Sequence, residues 1–173
     1  MNPTTKYLNE GLSEVLGGGK GQDNSQVSDT ARSQIKECID TFGLDCTLGM
    51  LQRAGRAGLY YWLRDQSDSL GWRLPEFRLL SFRRKLRRGI EDITAWLEKN
   101  SAGKFEITTC KDKMIIRAAG GQLDQFNCAF FLGLFQEYFS WIASGKFFPA
   151  SAIQTEVDPR NSRVLEISMK PLD

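Results

Sequence analysis

From Gln125 to Ser144 the chain reads QFNCAFFLGLFQEYFSWIAS, and helical spacing distributes its apolar side chains around every side of the helix. A helix that is apolar all round has to be covered on several sides. Gln136 and Glu137 interrupt the run, and it is shorter than the ~20 apolar residues that cross a bilayer. It is therefore expected in the middle of a core, with no transmembrane segment anywhere in the chain. Asp124 stands at its N-cap position, with Gly145 and Pro149 as stop signals beyond it.

The elements that cover this helix are legible from period and punctuation. Ser28-Asp29 resembles a helix start ahead of Ile35, Cys38, Ile39 and Phe42, and Gly43 ends that pattern. Asp45 or Thr47 then caps a helix to about Asp65, with Leu48, Leu51, Ala54, Gly55, Gly58 and Trp62 on one face. Glycines on an apolar face cost up to ~1 kcal/mol each against alanine, which points to close approach by another element. Pro75 suits the first turn of a third helix whose stripe is Leu79, Phe82, Leu86, Ile90, Ile93 and Leu97, closed by Asn100 to Gly103.

The period then falls to two. Phe105–Arg117 predicts one β-hairpin around Lys111-Asp112-Lys113, and Ile153–Met169 a second around Asp158 to Ser162. Gly120-Gly121 separates the first hairpin from the apolar helix. The fold class that follows is α+β: an antiparallel four-stranded sheet, made of two hairpins, with helices packed on one face. Residues Gly17 to Ser28 are too polar and glycine-rich to offset their ordering entropy. Residues 1–28 are accordingly expected to be a flexible N-terminal segment, with residues 29–173 as a single domain. Tyr7, Leu8, Leu12, Val15 and Leu16 can form a short amphipathic helix within that segment, docked or not.

Composition removes many chemistries. There is no histidine, so Ser-His-Asp and Cys-His nucleophiles, imidazole bases, histidine-ligated haem and His-containing zinc sites are excluded. The four cysteines, Cys38, Cys46, Cys110 and Cys128, lack a tight Cys-x₂₋₄-Cys pair, so buried thiols are expected rather than a metal site. Met1 to Lys20 lacks the order of a signal peptide, and unpaired thiols fit the cytoplasm. Gly17-Gly18-Gly19-Lys20-Gly21 has neither the spacing nor the Ser/Thr of a phosphate-binding loop. Carboxylate pairs such as Glu91-Asp92 and Glu156-Asp158 fall on expected surface positions, and no catalytic residue is assigned.

Seven basic residues fall between Arg73 and Arg88 (Arg73, Arg78, Arg83, Arg84, Lys85, Arg87, Arg88) against Glu76. They read either as the solvated back of an amphipathic helix or as a contact for phosphate, nucleic acid or anionic lipid. The formal net charge of +2 gives no general attraction to nucleic acid and favours the solvated face.

Met50-Leu51-Gln52-Arg53-Ala54-Gly55-Arg56 resembles a helix of the 4-vinyl reductase, or hydrocarbon-binding, domain family. Asn127-Cys128-Ala129-Phe130-Phe131-Leu132-Gly133 is similar to the Cys-x-Phe-x-x-Gly block of that family's apolar helix, and Thr155-Glu156 matches its closing hairpin. That family shares its fold with subunits of the transport-protein-particle tethering complex and is distantly related to haem–nitric-oxide-binding domains. The resemblance implies an often dimeric sensor or carrier for a hydrophobic small molecule such as an acyl chain, a tetrapyrrole or another hydrocarbon. The cysteines that family members often carry in the final hairpin are missing between Ala150 and Asp173, so no metal is carried over.

The resulting expectation is a non-enzymatic binding module with no cofactor. Its apolar site would be lined by Cys46, Met50, Trp62, Cys128, Phe131, Phe135 and Phe139 where the second and fourth helices meet the sheet. The alternatives are rings that simply fill the core, a homodimeric assembly module, or an enzyme or accessory protein of tetrapyrrole metabolism. For a homodimer the expected surface is Leu79, Phe82, Leu86 and Ile90, unless that stripe faces its own core.

Overall fold

The computed structural model describes residues 3–16, 27–100, 104–119, 124–154 and 163–172. Helices α1 (Pro3–Val15), α2 (Val27–Phe42), α3 (Leu44–Gln66), α4 (Pro75–Arg78) and α5 (Phe82–Asn100) come first. Strands β1 (Lys104–Thr109) and β2 (Lys113–Ala119), helix α6 (Gln125–Ile142), and strands β3 (Ala150–Gln154) and β4 (Arg163–Ser168) complete the order. The two hairpins join into one antiparallel sheet, β1-β2-β4-β3. Ile116 sits opposite both Ile107 and Leu165, and Met114 opposite Ile167, so one face of the sheet is apolar.

Helix α6 is the middle layer. It packs on β3 and β4 on one side and on α3 on another, with α5 alongside, which explains why no polar face was needed. Asp124 caps it as expected, its carboxylate accepting from the Phe126 and Asn127 amides at 2.9 and 2.7 Å.

The α3–α6 contact is a backbone-on-backbone crossing. A Cβ at Gly55 would run into the Phe130 carbonyl oxygen, and a Cβ at Gly133 into the Gln52 carbonyl oxygen. The close approach inferred at Gly55 is therefore real, and Gly133 is its counterpart. Beside the crossing, the buried Gln136 accepts from Gln52 Nε2 at 3.1 Å and Arg56 Nη2 at 2.6 Å and donates to the Phe148 carbonyl at 2.7 Å. That network satisfies the one polar side chain buried inside α6 and ties the segment before β3 to α3.

Several expectations shift. The third helix is two helices: the stripe drawn from Leu79 is broken at residues 79–81, and α5 restarts with Ser81 accepting its first bond, from the Lys85 amide. Serine favours that N-cap position over a helix interior. Leu86 and Ile90 are fully buried in the chain's own core, and Phe82 stacks on Phe148 with ring centroids 5.7 Å apart. Of the expected dimer stripe only Leu79 is exposed, so the alternative in which the stripe faces its own core holds.

Strand β3 begins at Ala150, three residues before Ile153. The Thr155-Glu156 position, the Asp158 to Ser162 turn and Gly120-Gly121 lie outside the described residues, as does the glycine-rich stretch at 17–26. Helix α1 docks on α3: Tyr7 and Leu12 are buried, and a Cβ at Gly11 would strike the Ala54 carbonyl.

Asp65 anchors α1 at its polar edge, accepting from Lys6 Nζ at 2.7 Å and from the Tyr7 hydroxyl at 3.3 Å. Bonds from Arg64 and then Lys6 hold its carboxyl down at about 2.

Three substitutions test these contacts. Gly133→Ala is expected to destabilise by about 1–3 kcal/mol through overpacking, read as a lower urea midpoint. Gly49→Ala, where a Cβ meets open space, should gain up to about 1 kcal/mol. Because the folded pKa of Asp65 is depressed, its contribution is complete above the unfolded carboxylate value of about 4. That contribution is lost as pH falls toward about 2, so Asp65→Asn should flatten the acid limb of an α1-sensitive Tyr7 or Trp96 fluorescence titration.

Candidate functional site

The expected site residues do not share one pocket. Cys46 is exposed and Met50 half-buried on the first turns of α3. Cys128, Phe131, Phe135 and Phe139 are buried on α6. Phe131 meets Phe105 of β1 edge-on at 5.7 Å and Phe135 at 6.5 Å, while Phe139 packs edge-on against Phe148 at 5.5 Å. Trp62 packs instead against Trp72 at 5.3 Å and Trp96 at 6.0 Å. It borders an internal space of about 10 Å³ shared with Tyr7, Trp96 and Phe130, room for about one water.

Burial pushes the Cys128 thiol up to about 11 and raises Cys38 as well, so both favour the neutral thiol. Among the described residues no group of three or more His, Cys, Asp or Glu side chains is placed to hold a metal ion.

The larger concavity lies elsewhere. A groove of about 600 Å³ opens between the loop before α4, α4 itself, the first turn of α5 and the end of α6. Its apolar surface comes from Trp72, Phe77 and Trp141, and its basic rim from Arg73, Arg78 and Lys85. Trp72 stacks nearly parallel on Phe77 (5.3 Å, 6°) and on Trp141 (5.8 Å, 25°), so the three rings form one continuous stack. Trp72 and Phe77 are almost wholly buried, whereas Trp141 is 44% exposed, giving a fixed floor and an open wall.

Two hydrogen bonds hold the floor. The Trp72 indole N–H donates to Asp92 at 2.7 Å, and the Tyr138 hydroxyl donates to the Lys85 carbonyl at 2.6 Å. Tyr138 reaches that carbonyl because Gly89 leaves room for its ring: a Cβ there would collide with the phenol. Burial, with the Asp92 charge nearby, raises the Tyr138 pKa, so its proton stays in place as a donor.

The rim cations are unequally committed. Arg73 pairs with Asp68 at 3.1 Å, and Arg88, over the Phe77 ring, stands 3.9 Å from Asp92. Arg78 and Lys85 have no acidic partner among the described residues. Sequence reasoning passed over this site because Trp72 and Trp141 are far apart in the chain. The available signal was the alternation of Trp72 and Phe77 with Arg73 and Arg78 inside the basic run.

The sequence matches no protein-family model and no curated protein. Solved structures do share the fold. One, described as giving structural insight into H-NOX activation, is 13% identical, with 99% of this chain and 96% of that chain covered and a TM-score of 0.55. An oxygen-binding H-NOX domain related to soluble guanylate cyclases, in its oxygen complex, is 14% identical over 98% of this chain and 93% of that one, at TM-score 0.52. A structure probing heme distortion in the H-NOX family is 13% identical over 98% and 88%, at TM-score 0.54.

At such identities the likeness is one of fold, and it does not show the 4-vinyl reductase family. It does correct the expectation of no cofactor, because structures with this fold include heme proteins. The groove residues do not fit an iron-ligated heme: none is a histidine, cysteine, methionine or tyrosine, the side chains that hold heme iron. No side chain lining this groove supplies the axial bond.

Asp92→Ala should leave the buried Trp72 indole N–H unpaired and destabilise by about 1–3 kcal/mol, with a shifted tryptophan emission maximum. An unchanged maximum and midpoint would show that the groove floor does not depend on that bond.

Proposed function

We propose that this chain is a small-molecule-binding domain, of sensor or carrier type, that takes an apolar ligand in the Trp72–Phe77–Trp141 groove. The observation that carries the reading is the groove in which the Trp72–Phe77–Trp141 stack ends at the exposed Trp141. Its volume of about 600 Å³ falls within the roughly 300–1,000 Å³ typical of ligand pockets, and aromatic walls are their common lining. The fold likeness supports the same direction, since one neighbour is described as oxygen-binding. Ser144 and Lys85 line the groove, but no carboxylate or histidine lines it beside them to act as a base, so binding rather than turnover is the chemistry we assign to it.

A fixed floor beneath an exposed ring suits a sensor. Trp141 lies at the end of α6, and α6 packs on both α3 and the sheet, so a ligand pressing on that ring bears on the central helix.

The test is binding of phenylnaphthylamine, a neutral dye that brightens in apolar surroundings. Trp141→Ala should weaken its binding about tenfold or more, the ~1.4 kcal/mol expected from losing one stacked ring, with the urea midpoint nearly unchanged. Binding that survives Trp141→Ala intact would place the site elsewhere.

A further inference from the structure

From the rim of the groove we infer that its ligand is a free amphiphilic anion: a flat apolar body carrying a carboxylate, sulfonate or phosphate, bound by Arg78 and Lys85. The inference rests on the groove being the binding site and specifies what the groove selects.

The charge balance around the three rings carries the argument. Two carboxylates that reach groove-lining residues are already engaged. Asp68 holds Arg73 at 3.1 Å. Asp92 takes the Trp72 indole N–H at 2.7 Å and has Arg88 at 3.9 Å. Arg78 and Lys85 border the same concavity and are engaged by no carboxylate among the described residues. Glu76, the acid next to them on α4, makes no ion pair with either.

Two uncompensated cations beside a stacked aromatic floor favour an anion whose body is apolar. A neutral hydrocarbon would cover the open Trp141 ring and leave both charges partly desolvated and unpaired. An ion without an apolar body would leave Trp141 wet. An amphiphilic anion satisfies both halves, with a guanidinium and an ammonium as charge-assisted donors to its head.

Shape favours a free molecule over a membrane surface. The groove is a recess of about 600 Å³ in which Trp141, 44% exposed, is the open ring. A recess of that volume matches a single bound molecule, and a bilayer face is the occupant that the vesicle experiment tests.

Lys85 is a clean test position, because the bond it gives the fold comes from its backbone carbonyl, which accepts from Tyr138 whatever the side chain. Two dyes with the same rings discriminate: anilinonaphthalene sulfonate carries a charge and phenylnaphthylamine does not. The wild-type protein should prefer the sulfonate about tenfold or more, and the preference should shrink with added salt. The doubly substituted Arg78→Ala, Lys85→Ala protein should lose that preference while keeping the neutral dye and its urea midpoint.

Equal affinity for both dyes in wild type, with binding still abolished by Trp141→Ala, would overturn the anion inference and leave the groove standing. Dye binding indifferent to Trp141→Ala would remove the groove and this inference together. Co-sedimentation with phosphatidylserine vesicles, lost in the double variant and unaccompanied by any sulfonate preference, would overturn the free anion in favour of a membrane surface.

Discussion

The α3–α6 crossing is the contact on which the rest of this molecule depends. Gly55 and Gly133 bring two helix backbones together, the Phe130 carbonyl occupying the place of a Cβ at Gly55 and the Gln52 carbonyl that of a Cβ at Gly133. That proximity leaves α6 with one side on α3 and another on the sheet, so the helix must be apolar all round. It also directs Gln136 into a network with Gln52 and Arg56 that fixes the Phe148 segment and thereby the start of β3. Interlocked backbones do not slide continuously, which makes α6 a rigid reference for whatever its C-terminal ring touches.

The groove is a consequence of that rigidity. Gly89 admits Tyr138 of α6 against α5, and Tyr138 fastens the Lys85 carbonyl. Asp92, one turn beyond Gly89, orients Trp72. The same two helices thus set the floor ring, one basic rim residue and, at the end of α6, the exposed Trp141. From there the rings run inward: Trp72 touches Trp62, Trp62 touches Trp96, and Trp96 touches Tyr7 of α1 at 5.5 Å. A continuous aromatic path therefore joins the groove to the N-terminal helix.

What could be read from the sequence was whatever depends on local pattern. The all-round apolar run named the central helix, Asp124 its start, and strand alternation the two hairpins. Glycine on the apolar face of α3 correctly announced a close neighbour. The break at residues 79–81 escaped because Leu79 happens to continue the heptad-like stripe of the next helix while its side chain points to solvent. The groove escaped for a different reason: its three rings come from a loop, a one-turn helix and the end of α6, and no periodicity links them. Within the basic run Arg87 pairs with Glu91 at 3.0 Å, whereas Arg78 and Lys85 border the groove. On α6 itself, Phe131 meets both Phe105 of β1 and Phe135.

The four tryptophans make the central claim directly measurable. Trp141 and Trp72 belong to the groove, whereas Trp62 and Trp96 border the small interior space. In an NMR titration of the labelled protein with an aromatic carboxylate such as naphthoate, the indole N–H signals of Trp141 and Trp72 should move together and saturably, with Trp62 and Trp96 nearly still. Signals of Trp62 and Trp96 that move first, or no movement at Trp141, would contradict the groove as the binding site.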